Sequence, residues 1–227
     1  MASFILHRMI SVVIPTQNAQ TTLPRCFDSL IGATVHGVVK EVIVADGGSN
    51  DDTLAIADAA GAHVVRGGKS RASRLAEGAK AARSDWILFL HPETALDPGW
   101  EVEAEAFISR GTLENLRAAS FRFGLDEFDG PSRRTEAATA LRCWLFKLPY
   151  GDQGLLIPKR LYNRLGGYHD VPMEDVDLVR RIGVRHLVML RARAVNKTVE
   201  RPSALFNLTL TALHALHVPP SLLARLG

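Results

Sequence analysis

The chain has 227 residues, of which 47% are hydrophobic, and it carries a net charge of +3 at pH 7. This length and composition predict one domain with a full-sized core, since no Pro/Gly/Ser-rich tract, charge block or repeat divides the chain. The mildly basic charge suits a small ligand that carries phosphate. Aromatic residues make up only 7% of the chain and are not interleaved with basic residues, which argues against nucleic-acid binding.

The cysteines and the N-terminus indicate the compartment. Cys26 and Cys143 lie in neither a CxxC pair nor a metal-ligand spacing, so we expect reduced thiols and a cytoplasmic protein. Residues 1–14 are apolar but are interrupted by His7 and Arg8, and they lack the pattern of a signal peptide. No uninterrupted apolar run of about 20 residues occurs, so no transmembrane helix is predicted.

Apolar runs alternate with helical patterns through the first ninety residues. The runs predict buried strands over residues 10–15, 41–45, 63–66 and 86–90. Helices are predicted after Thr21 or Thr22, from Asp51 or Asp52 to about residue 60, and over residues 71–83. Alternating strands and helices are typical of βαβ units, and strands without polar alternation are typical of a parallel sheet covered on both faces. The sequence therefore predicts a Rossmann-like, mostly parallel α/β sheet flanked by helices.

The second half of the chain is less regular. Helices are predicted over residues 100–109, 136–146 and 174–182, and strands over residues 119–123, 155–158 and 186–190. The strand at 119–123 alternates, so we expect it to face the core on one side only. An apolar helix over residues 203–217 is followed by Pro219-Pro220 and a last short helix.

Polar clusters follow three of the predicted strands directly. Ligands of parallel α/β sheets bind at the carboxyl ends of the strands, so these clusters form the candidate site. In the cluster at residues 46–51, Asp46 can accept hydrogen bonds from nucleoside hydroxyls. Gly48 and the glycine before it have no side chains that would block a ligand there. The alternative is an ordinary turn followed by a helix N-cap.

His91 and Glu93 stand two positions apart in another of these clusters. Both side chains can face one divalent cation. Mg²⁺ prefers oxygen ligands and keeps substrate phosphates in its shell, and Mn²⁺ also accepts imidazole. The alternative is a polar loop with a surface histidine.

Two charged segments complete the candidates. Residues 66–74 contain four basic side chains beside Gly67-Gly68. A glycine-rich loop followed by the basic first turn of a helix can bind a phosphate. The alternative is a basic helix face exposed to solvent. Residues 173–178 contain Glu174, Asp175 and Asp177 at a predicted helix start. A carboxylate there can remove a proton from an acceptor hydroxyl, and the alternative is helix-dipole capping.

These segments, in this order, resemble family 2 glycosyltransferases, which have the GT-A fold. Residues 11–18, SVVIPTQN, are similar to the family's opening strand, and residues 41–53, EVIVADGGSNDDT, to its second strand and nucleoside-contacting turn. Residues 86–94, WILFLHPET, resemble the strand that leads into the metal-binding D-x-D, and Glu174-Asp175 resembles the acidic pair that supplies the catalytic base. The resemblance is closest to a bacterial branch described as radical-SAM/selenodomain-associated transferases, which has a GDQG like that at residues 151–154.

The resemblance implies a single GT-A domain over residues 1–227, with a nucleotide-binding half at 10–95, an acceptor and catalytic half at 96–200 and C-terminal helices at 203–227. It also implies transfer of a sugar from a nucleotide-diphosphate donor to an acceptor hydroxyl, assisted by Mn²⁺ or Mg²⁺ and with inversion. The QxxRW motif of processive members is absent, so we expect single additions.

The resemblance further implies a role for each matching residue. On the donor side, the implied contacts are Pro15, Thr16 and Asn18 with the base and ribose, Asp46 and Gly48 with the nucleoside, and Arg71 with the diphosphate. The remaining implied roles are the metal ligands Glu93 and His91, the base Asp175 with Glu174 beside it, and the acceptor-side residues Asp152 and Gln153.

The chain also departs from the pattern. His91 stands at the first acid of the D-x-D, although the branch has histidine there too, and Glu93 replaces the last Asp. Pro92 stands where the branch has alanine, and Ser70 and Ser73 stand where it has glycine and a second arginine. These departures leave the metal affinity and the choice of donor open.

Two other functions stay open. A nucleotidyltransferase usually carries a glycine-rich signature after the first strand, and residues 15–18 contain no glycine. The second open function is that of a non-catalytic nucleotide-binding protein with a degenerate metal site. For residues 203–227, we expect a helix packed on the core; the alternative is a peripheral membrane contact or a homodimer contact.

Overall fold

The structure is a computed structural model that describes residues 9–111, 116–126 and 151–196. The helices predicted over residues 136–146 and 203–217, the last short helix and Cys143 lie outside these ranges.

Eight strands and seven α-helices make up the described part of the chain. The strands are β1 Ile10–Thr16, β2 Val39–Asp46, β3 His63–Arg66, β4 Trp86–Phe89, β5 Thr94–Leu96, β6 Ala118–Leu125, β7 Leu155–Pro158 and β8 Leu187–Asn196. The helices are α1 Leu23–Asp28, α2 Ile31–Val35, α3 Thr53–Ala59, α4 Arg71–Ala81, α5 Trp100–Arg110, α6 Lys159–Arg164 and α7 Glu174–Ile182. A 3₁₀ turn over Gly151–Gln153 precedes β7.

All eight strands belong to one sheet with the order β3-β2-β1-β4-β7-β6-β8-β5. β1 pairs in parallel with β2 and β4, and β2 pairs in parallel with β3, which confirms the βαβ pattern predicted for the first ninety residues. β7 joins β4 in antiparallel sense, and β6 and β8 extend the sheet beyond it. The fold is the predicted single α/β domain with a mostly parallel sheet, and its strand direction reverses where β7 meets β4.

Helices cover both faces of this sheet, because successive strand residues point to opposite faces. Val12 and Ile14 pack into a core cluster with residues of α1, α2 and α5, whereas Val13 packs into a second cluster with residues of α4 and α7. A Cβ atom on Gly78 of α4 would lie 2.3 Å from Val13 Cγ1, so this glycine lets the helix approach the sheet closely. Burial on both faces explains why these strands are continuous apolar runs.

Three short elements were not predicted, and two strands differ from the prediction. The missed elements are α2, β5 and α6. β6 is buried on both faces with only Arg122 exposed, so the expectation of one core-facing side was wrong. β8 continues six residues past the predicted end because residues 193–196 pair in parallel with β6 and residues 194–196 pair with β5. Within this extension, Arg193 Nε also donates to Asp97 Oδ2 at 2.7 Å.

The helix starts also differ from the prediction in detail. Thr22 occupies the N-cap position of α1, but its hydroxyl donates to the carbonyl of Ala19 and accepts no hydrogen bond from the helix. At α3, the side chain of Asp51 accepts from the amide of Thr53 at 3.0 Å, so the cap comes from Asp51 and not from Asp52.

Cys26 is buried on α1 as a free thiol, and burial raises its pKa to about 12. The thiol therefore stays protonated and unreactive, as expected for a structural cysteine. Within the described ranges, no helix is both long enough and apolar enough to span a bilayer.

Candidate functional site

The carboxyl ends of β3, β2, β1 and β4 lie side by side. In the parallel register, Thr16 pairs with Asp46 and Asp46 pairs with Arg66. Just beyond β4, the amide of Leu90 donates to the carbonyl of Val13 at 3.0 Å. The polar clusters identified in the sequence therefore lie along one edge of the sheet, which we call the carboxyl edge.

Asp46 ends β2 at the carboxyl edge, is 6% exposed and accepts four hydrogen bonds. Its Oδ1 accepts from Thr16 Oγ1 at 3.0 Å and from Ser49 Oγ at 2.5 Å. Its Oδ2 accepts from the backbone amides of Gly48 and Ser49, both at 2.8 Å. Each carboxylate oxygen offers about two acceptor sites, so these donors occupy the whole group.

Burial by itself raises the pKa of Asp46, but the hydrogen bonds from Ser49, Gly48 and Thr16 outweigh it, and the pKa lies below the usual value. The carboxylate is thus ionised at neutral pH and is committed to its own turn. Its acceptor sites are filled by Thr16 and by its own turn, so Asp46 fixes the shape of the turn that borders the site. Direct contact of Asp46 with a nucleoside stays a prediction.

Of the other residues expected to contact the donor, Pro15 and Thr16 are buried and Asn18 is exposed. Pro15 and Thr16 are buried in β1, so their side chains do not line an open surface, and Thr16 acts through Asp46. Asn18 is exposed and has a positive φ of 54°. Its Oδ1 accepts from the amide of Asn50 at 2.9 Å, which ties the two turns of the carboxyl edge together.

Arg74 crosses the carboxyl edge between two glycine turns and is 9% exposed. Its Nη1 donates to Gln17 Oε1 at 3.1 Å and to the carbonyl of Lys69 at 2.9 Å. A Cβ on Gly47 would lie 2.6 Å from this Nη1, and a Cβ on Gly67 would lie 2.4 Å from Arg74 Cγ. These glycines therefore make room for the arginine, which is a more specific role than leaving a ligand unblocked.

Gly48 is required in this turn for a different reason. Its φ is +97°, and a Cβ there would meet nothing within 4 Å. The left-handed backbone, and not space, requires glycine at this position of the turn.

Arg71, at the start of α4, reaches across to the start of α7. Its Nη1 donates to Glu174 Oε1 and to Asp175 Oδ2, both at 2.5 Å, and the three side chains are between 16% and 26% exposed. Burial opposes the charge of Arg71, but the carboxylates of Asp175 and Glu174 outweigh it and raise the pKa of Arg71 further above its usual value. The expected basic and acidic segments thus contact each other, with Arg71 paired to Glu174 and Asp175. Contact of Arg71 with a diphosphate stays a prediction.

This contact joins the acidic pair to the rest of the carboxyl edge. Burial lowers the pKa of Arg74, and the charges of Arg71, Asp46 and Glu174 also act on it. These four side chains therefore lie close together. The turn after β2, the start of α4 and the start of α7 are therefore close enough for their charged side chains to interact.

His91 and Glu93 follow β4 at the same edge, and their side chains are 29% and 48% exposed. His91 Nδ1 lies 4.0 Å from Glu93 Oε2. Two donors at about 2.1 Å from one Mg²⁺ ion lie at most about 4.2 Å apart, so one cation can contact both. The carbonyl of His91 accepts a hydrogen bond from Cys26 Sγ at 3.7 Å, which supports the loop from below.

Within the described ranges, no group of three or more His, Cys, Asp or Glu side chains is arranged to hold a metal ion. His91 and Glu93 thus fit a half-site, with the remaining ligands supplied by phosphate oxygens and water. Glu93, phosphate oxygens and water are the usual donors for Mg²⁺ at phosphate-bearing substrates, and Mn²⁺ also accepts the imidazole of His91.

Gln153 differs from its expected place on the acceptor side. It is 1% exposed, and its Nε2 donates to the carbonyl of Phe121 at 3.1 Å, which ties the 3₁₀ turn to β6. The carbonyl of Asp152 accepts from Asn196 Nδ2 at 2.9 Å. GDQG is therefore a structural junction between three strands, and Gln153 is not an accessible contact for an acceptor.

The structure also brings residues to the site that the sequence did not assign. Tyr168 Oη donates to Asp175 Oδ1 at 3.1 Å, and Gln17 holds Arg74. A lone tyrosine and a lone glutamine carry no spacing signal, since only the fold places them beside their partners. The signal that could have pointed to Tyr168 is the Gly166-Gly167 pair before it, whose φ values are +83° and +72°.

A groove of about 620 Å³ opens elsewhere on the surface. Phe27, Ile31 and Val35 from α1 and α2 line it, together with the first residues of β2. Because these are the amino-terminal residues of β2, the groove lies at the opposite end of this strand from Asp46 and is separate from the carboxyl edge.

Parts of the chain are similar in sequence to known proteins. Residues 11–114, a little under half of the chain, match the family described as Glycosyl transferase family 2. A PGL/p-HBAD biosynthesis glycosyltransferase of Mycobacterium tuberculosis is 26% identical over 176 residues, which cover 71% of this chain and 63% of that protein. The chain thus spans less than two thirds of the length of this relative. Glucosyl-3-phosphoglycerate synthase of Mycobacterium tuberculosis is 50% identical over 58 residues, covering 26% of this chain and 18% of that protein.

Solved structures share the fold. The crystal structure of glucosyl-3-phosphoglycerate synthase from Mycobacterium tuberculosis, in complex with Mn²⁺ and uridine-diphosphate-glucose, has a TM-score of 0.63 and 22% identity and covers 94% of this chain and 80% of that chain. Mannosyl-3-phosphoglycerate synthase from Rubrobacter xylanophilus has a TM-score of 0.59 and 16% identity, with coverage of 91% and 72%. Residues 11–114 thus resemble family 2 glycosyltransferases in sequence, and the solved structures show that the described part of the chain shares their fold.

Proposed function

We propose that the protein transfers a sugar from a nucleoside-diphosphate donor to the hydroxyl of an acceptor, with a divalent cation and with inversion at the anomeric carbon. The observation that carries this proposal is the meeting of three features on one sheet edge: the ordered turn after Asp46, the half-site of His91 and Glu93, and the acidic pair held by Arg71. A donor diphosphate, its cation and an acceptor hydroxyl need these three features within one site.

The donor is proposed to lie along the turns that follow β1 and β2. Asn18 is exposed there and linked to Asn50, so its backbone and side chain form the surface that a base and ribose would contact. Glucosyl-3-phosphoglycerate synthase binds uridine-diphosphate-glucose on the same fold, which supports a nucleotide sugar as the donor.

Glu93 and His91 are proposed to hold Mn²⁺ or Mg²⁺ together with the diphosphate oxygens. When bound, the cation would neutralise the charge that develops on the leaving diphosphate. Glu93 reaches one methylene further than an aspartate, and its 48% exposure leaves it free to turn toward a bound phosphate. Relatives of the same fold bind Mn²⁺ or Mg²⁺ with uridine diphosphate.

Asp175 is proposed as the general base. It would take the proton of the acceptor hydroxyl while that oxygen forms a bond to the anomeric carbon, and the bond from this carbon to the diphosphate oxygen would break with its electron pair leaving on the diphosphate. Glu174 shares Arg71 with Asp175 and so balances the charge of the arginine. Attack opposite to the leaving group inverts the anomeric centre.

Three finer assignments are proposed on separate grounds: sequence resemblance for the branch, the similar fold for the acceptor, and the apolar composition of residues 203–227 for a dimer or membrane contact. We propose the radical-SAM/selenodomain-associated branch because of GDQG at residues 151–154 and LHPE at residues 90–93. We propose that the acceptor is small, as phosphoglyceric acid is for the synthase of similar fold. A dimer or membrane contact through residues 203–227 is the remaining proposal, and liposome co-sedimentation and sedimentation velocity test it.

The proposed function is tested with purified protein, Mn²⁺ and a panel of nucleotide sugars. We expect one or more of them to raise the melting temperature in the presence of Mn²⁺, and release of nucleoside diphosphate when an acceptor mixture is added. A nucleotidyltransferase would instead release pyrophosphate from a nucleoside triphosphate and a sugar phosphate. A non-catalytic binding protein would show the thermal shift without release of diphosphate. Either result would overturn the proposal.

A further inference from the structure

Asp175 is held from two sides by different kinds of donor. Arg71 Nη1 donates to Oδ2 at 2.5 Å, and Tyr168 Oη donates to Oδ1 at 3.1 Å. Each oxygen of an ionised carboxylate has about two acceptor sites. Among the described residues, Asp175 accepts only these two hydrogen bonds, so each oxygen keeps one site for another donor.

The ring of Tyr168 is fixed in place by its neighbours. It is 8% exposed, and its centroid lies 5.0 Å from that of Phe89 in an edge-on contact. Its backbone amide donates to Tyr162 Oη at 3.0 Å. A Cβ on Gly167 would lie 2.9 Å from Tyr162 Oη, and the φ of +72° there is one that side chains rarely adopt, so the glycine is needed to bring Tyr168 to this position.

Phe89 links this tyrosine to the rest of the site. It is the last residue of β4, two positions before His91. The strand that delivers the proposed metal ligands thus also supports the ring that contacts the proposed base. Burial and the charge of Asp175 together raise the pKa of Tyr168 well above its usual value, so the phenol remains protonated and can only donate toward the carboxylate.

We propose that Tyr168 is a positioning residue for the transfer reaction: it fixes the Asp175 carboxylate in one orientation, so that the unoccupied acceptor site of Oδ1 faces the acceptor hydroxyl. The inference rests on the proposed function, since it presumes that Asp175 is the base. Arg71 alone would hold only Oδ2 and would leave the carboxylate free to rotate about its last bond. The second hydrogen bond removes that freedom, and orientation of a base is a direct contribution to rate.

The variant Tyr168→Phe removes the hydroxyl and keeps the packing of the ring on Phe89. We expect kcat to fall about tenfold, which corresponds to the loss of one hydrogen bond to a charged group. The KM for the nucleotide sugar should stay close to that of the wild-type protein, and the melting temperature should fall by no more than the loss of one hydrogen bond costs. A drop in melting temperature with unchanged kcat would mean that Tyr168 is only a core residue, and the inference would be wrong.

The matched control is Tyr162→Phe, which removes the neighbouring hydroxyl that does not contact Asp175. Loss of this acceptor leaves the buried amide of Tyr168 without its partner, so we expect a lower melting temperature and a smaller change in kcat than in Tyr168→Phe. If Tyr168→Phe keeps full activity while Asp175→Asn is inactive, the inference fails and the proposed function stands. If the wild-type protein transfers no sugar, the proposed function fails first.

Discussion

The carboxylates of Asp46 and Asp175 lie on the same edge of the sheet, but they are held in opposite ways. Asp46 is 6% exposed and accepts from four neutral donors, two of which are backbone amides of its own turn. Asp175 is 16% exposed and accepts from one cation and one phenol, each from a different part of the chain. The first group is saturated by local structure, whereas the second retains acceptor sites and depends on the fold for its partners.

This difference separates a carboxylate that builds the site from one that can react in it. A carboxylate whose acceptor sites are all filled cannot accept a further hydrogen bond from a ligand, so Asp46 acts through the shape of the turn. A carboxylate with open acceptor sites can take a proton, so Asp175 is the proposed base. Substitution of the first should therefore change stability before chemistry, and substitution of the second should change chemistry before stability.

The largest expected effect is that of Asp175→Asn. General-base catalysis contributes about 10²- to 10⁴-fold, so we expect transfer to fall at least about a hundredfold while nucleotide binding is retained. Steady-state rates and isothermal titration with the nucleoside diphosphate measure the two quantities. Asp177→Asn is the matched control on the same helix, because Asp177 pairs with Arg181 and His169 and not with Arg71. Equal rates for Asp175→Asn and the wild-type protein would remove Asp175 as the base.

The second expected effect concerns the cation. Glu93→Gln removes the carboxylate of the half-site and keeps its length, so we expect at least about a tenfold higher Mn²⁺ concentration for half-maximal rate. Titration of the rate with Mn²⁺ measures it. Glu77→Gln serves as the control, because Glu77 is an exposed partner of Lys80 on α4. An unchanged Mn²⁺ dependence in the Glu93 variant would place the cation elsewhere.

A smaller effect, on stability, is expected for Asp46→Asn. Loss of the charge weakens four hydrogen bonds, and we expect about 2–3 kcal/mol less stability at pH 7. The pKa of Asp46 is lowered on folding, so this stability is present above the ordinary pKa of aspartate, about 4, and is lost as the pH falls through the lower folded value. Urea denaturation at pH 7 and at about pH 3 should show the difference between variant and wild type shrinking in acid. A difference that grows in acid would contradict the assignment.

The smallest effects are expected at the two neighbouring glycines. Gly48→Ala forces a side chain into φ +97° and should cost about 1 kcal/mol or slightly more. Gly47→Ala instead pushes against the flexible end of Arg74, so the arginine should move and nucleotide binding should weaken with little loss of stability. Thermal denaturation and nucleotide titration of both variants test the pair. Identical behaviour of the two would mean that Arg74 has no part in the site.

The first half of the fold could be predicted because each strand there is buried on both faces and each helix follows it directly. The hydrophobic pattern of each short stretch of sequence is therefore enough to predict its strand or helix. The second half could not be predicted to the same degree, since β8 is held by pairing with β5 and β6, which lie far from it in sequence. Short elements such as β5 have too few residues for any periodic signal.

The site shows the same division. The order of motifs led to the carboxyl edge, and the structure brings Arg71 to the acidic pair there. The sequence could not show that Asp46 is saturated, that Gln153 is buried, or that Tyr168 contacts Asp175, because each depends on a partner whose placement is set by the fold: Thr16, Phe121 and Asp175 respectively. Residue type and order indicate what chemistry is available, and three-dimensional contacts decide which group remains free to perform it.

The most direct test of the central claim is a crystal structure of the protein with Mn²⁺ and the nucleoside diphosphate that gives the largest thermal shift, with the ion located by its anomalous signal. We expect an anomalous peak beside the carboxylate of Glu93, with the diphosphate between this ion and the start of α4 and the nucleoside along the turn after Asp46. A peak away from Glu93, or a nucleotide bound away from the carboxyl edge, would contradict this expectation.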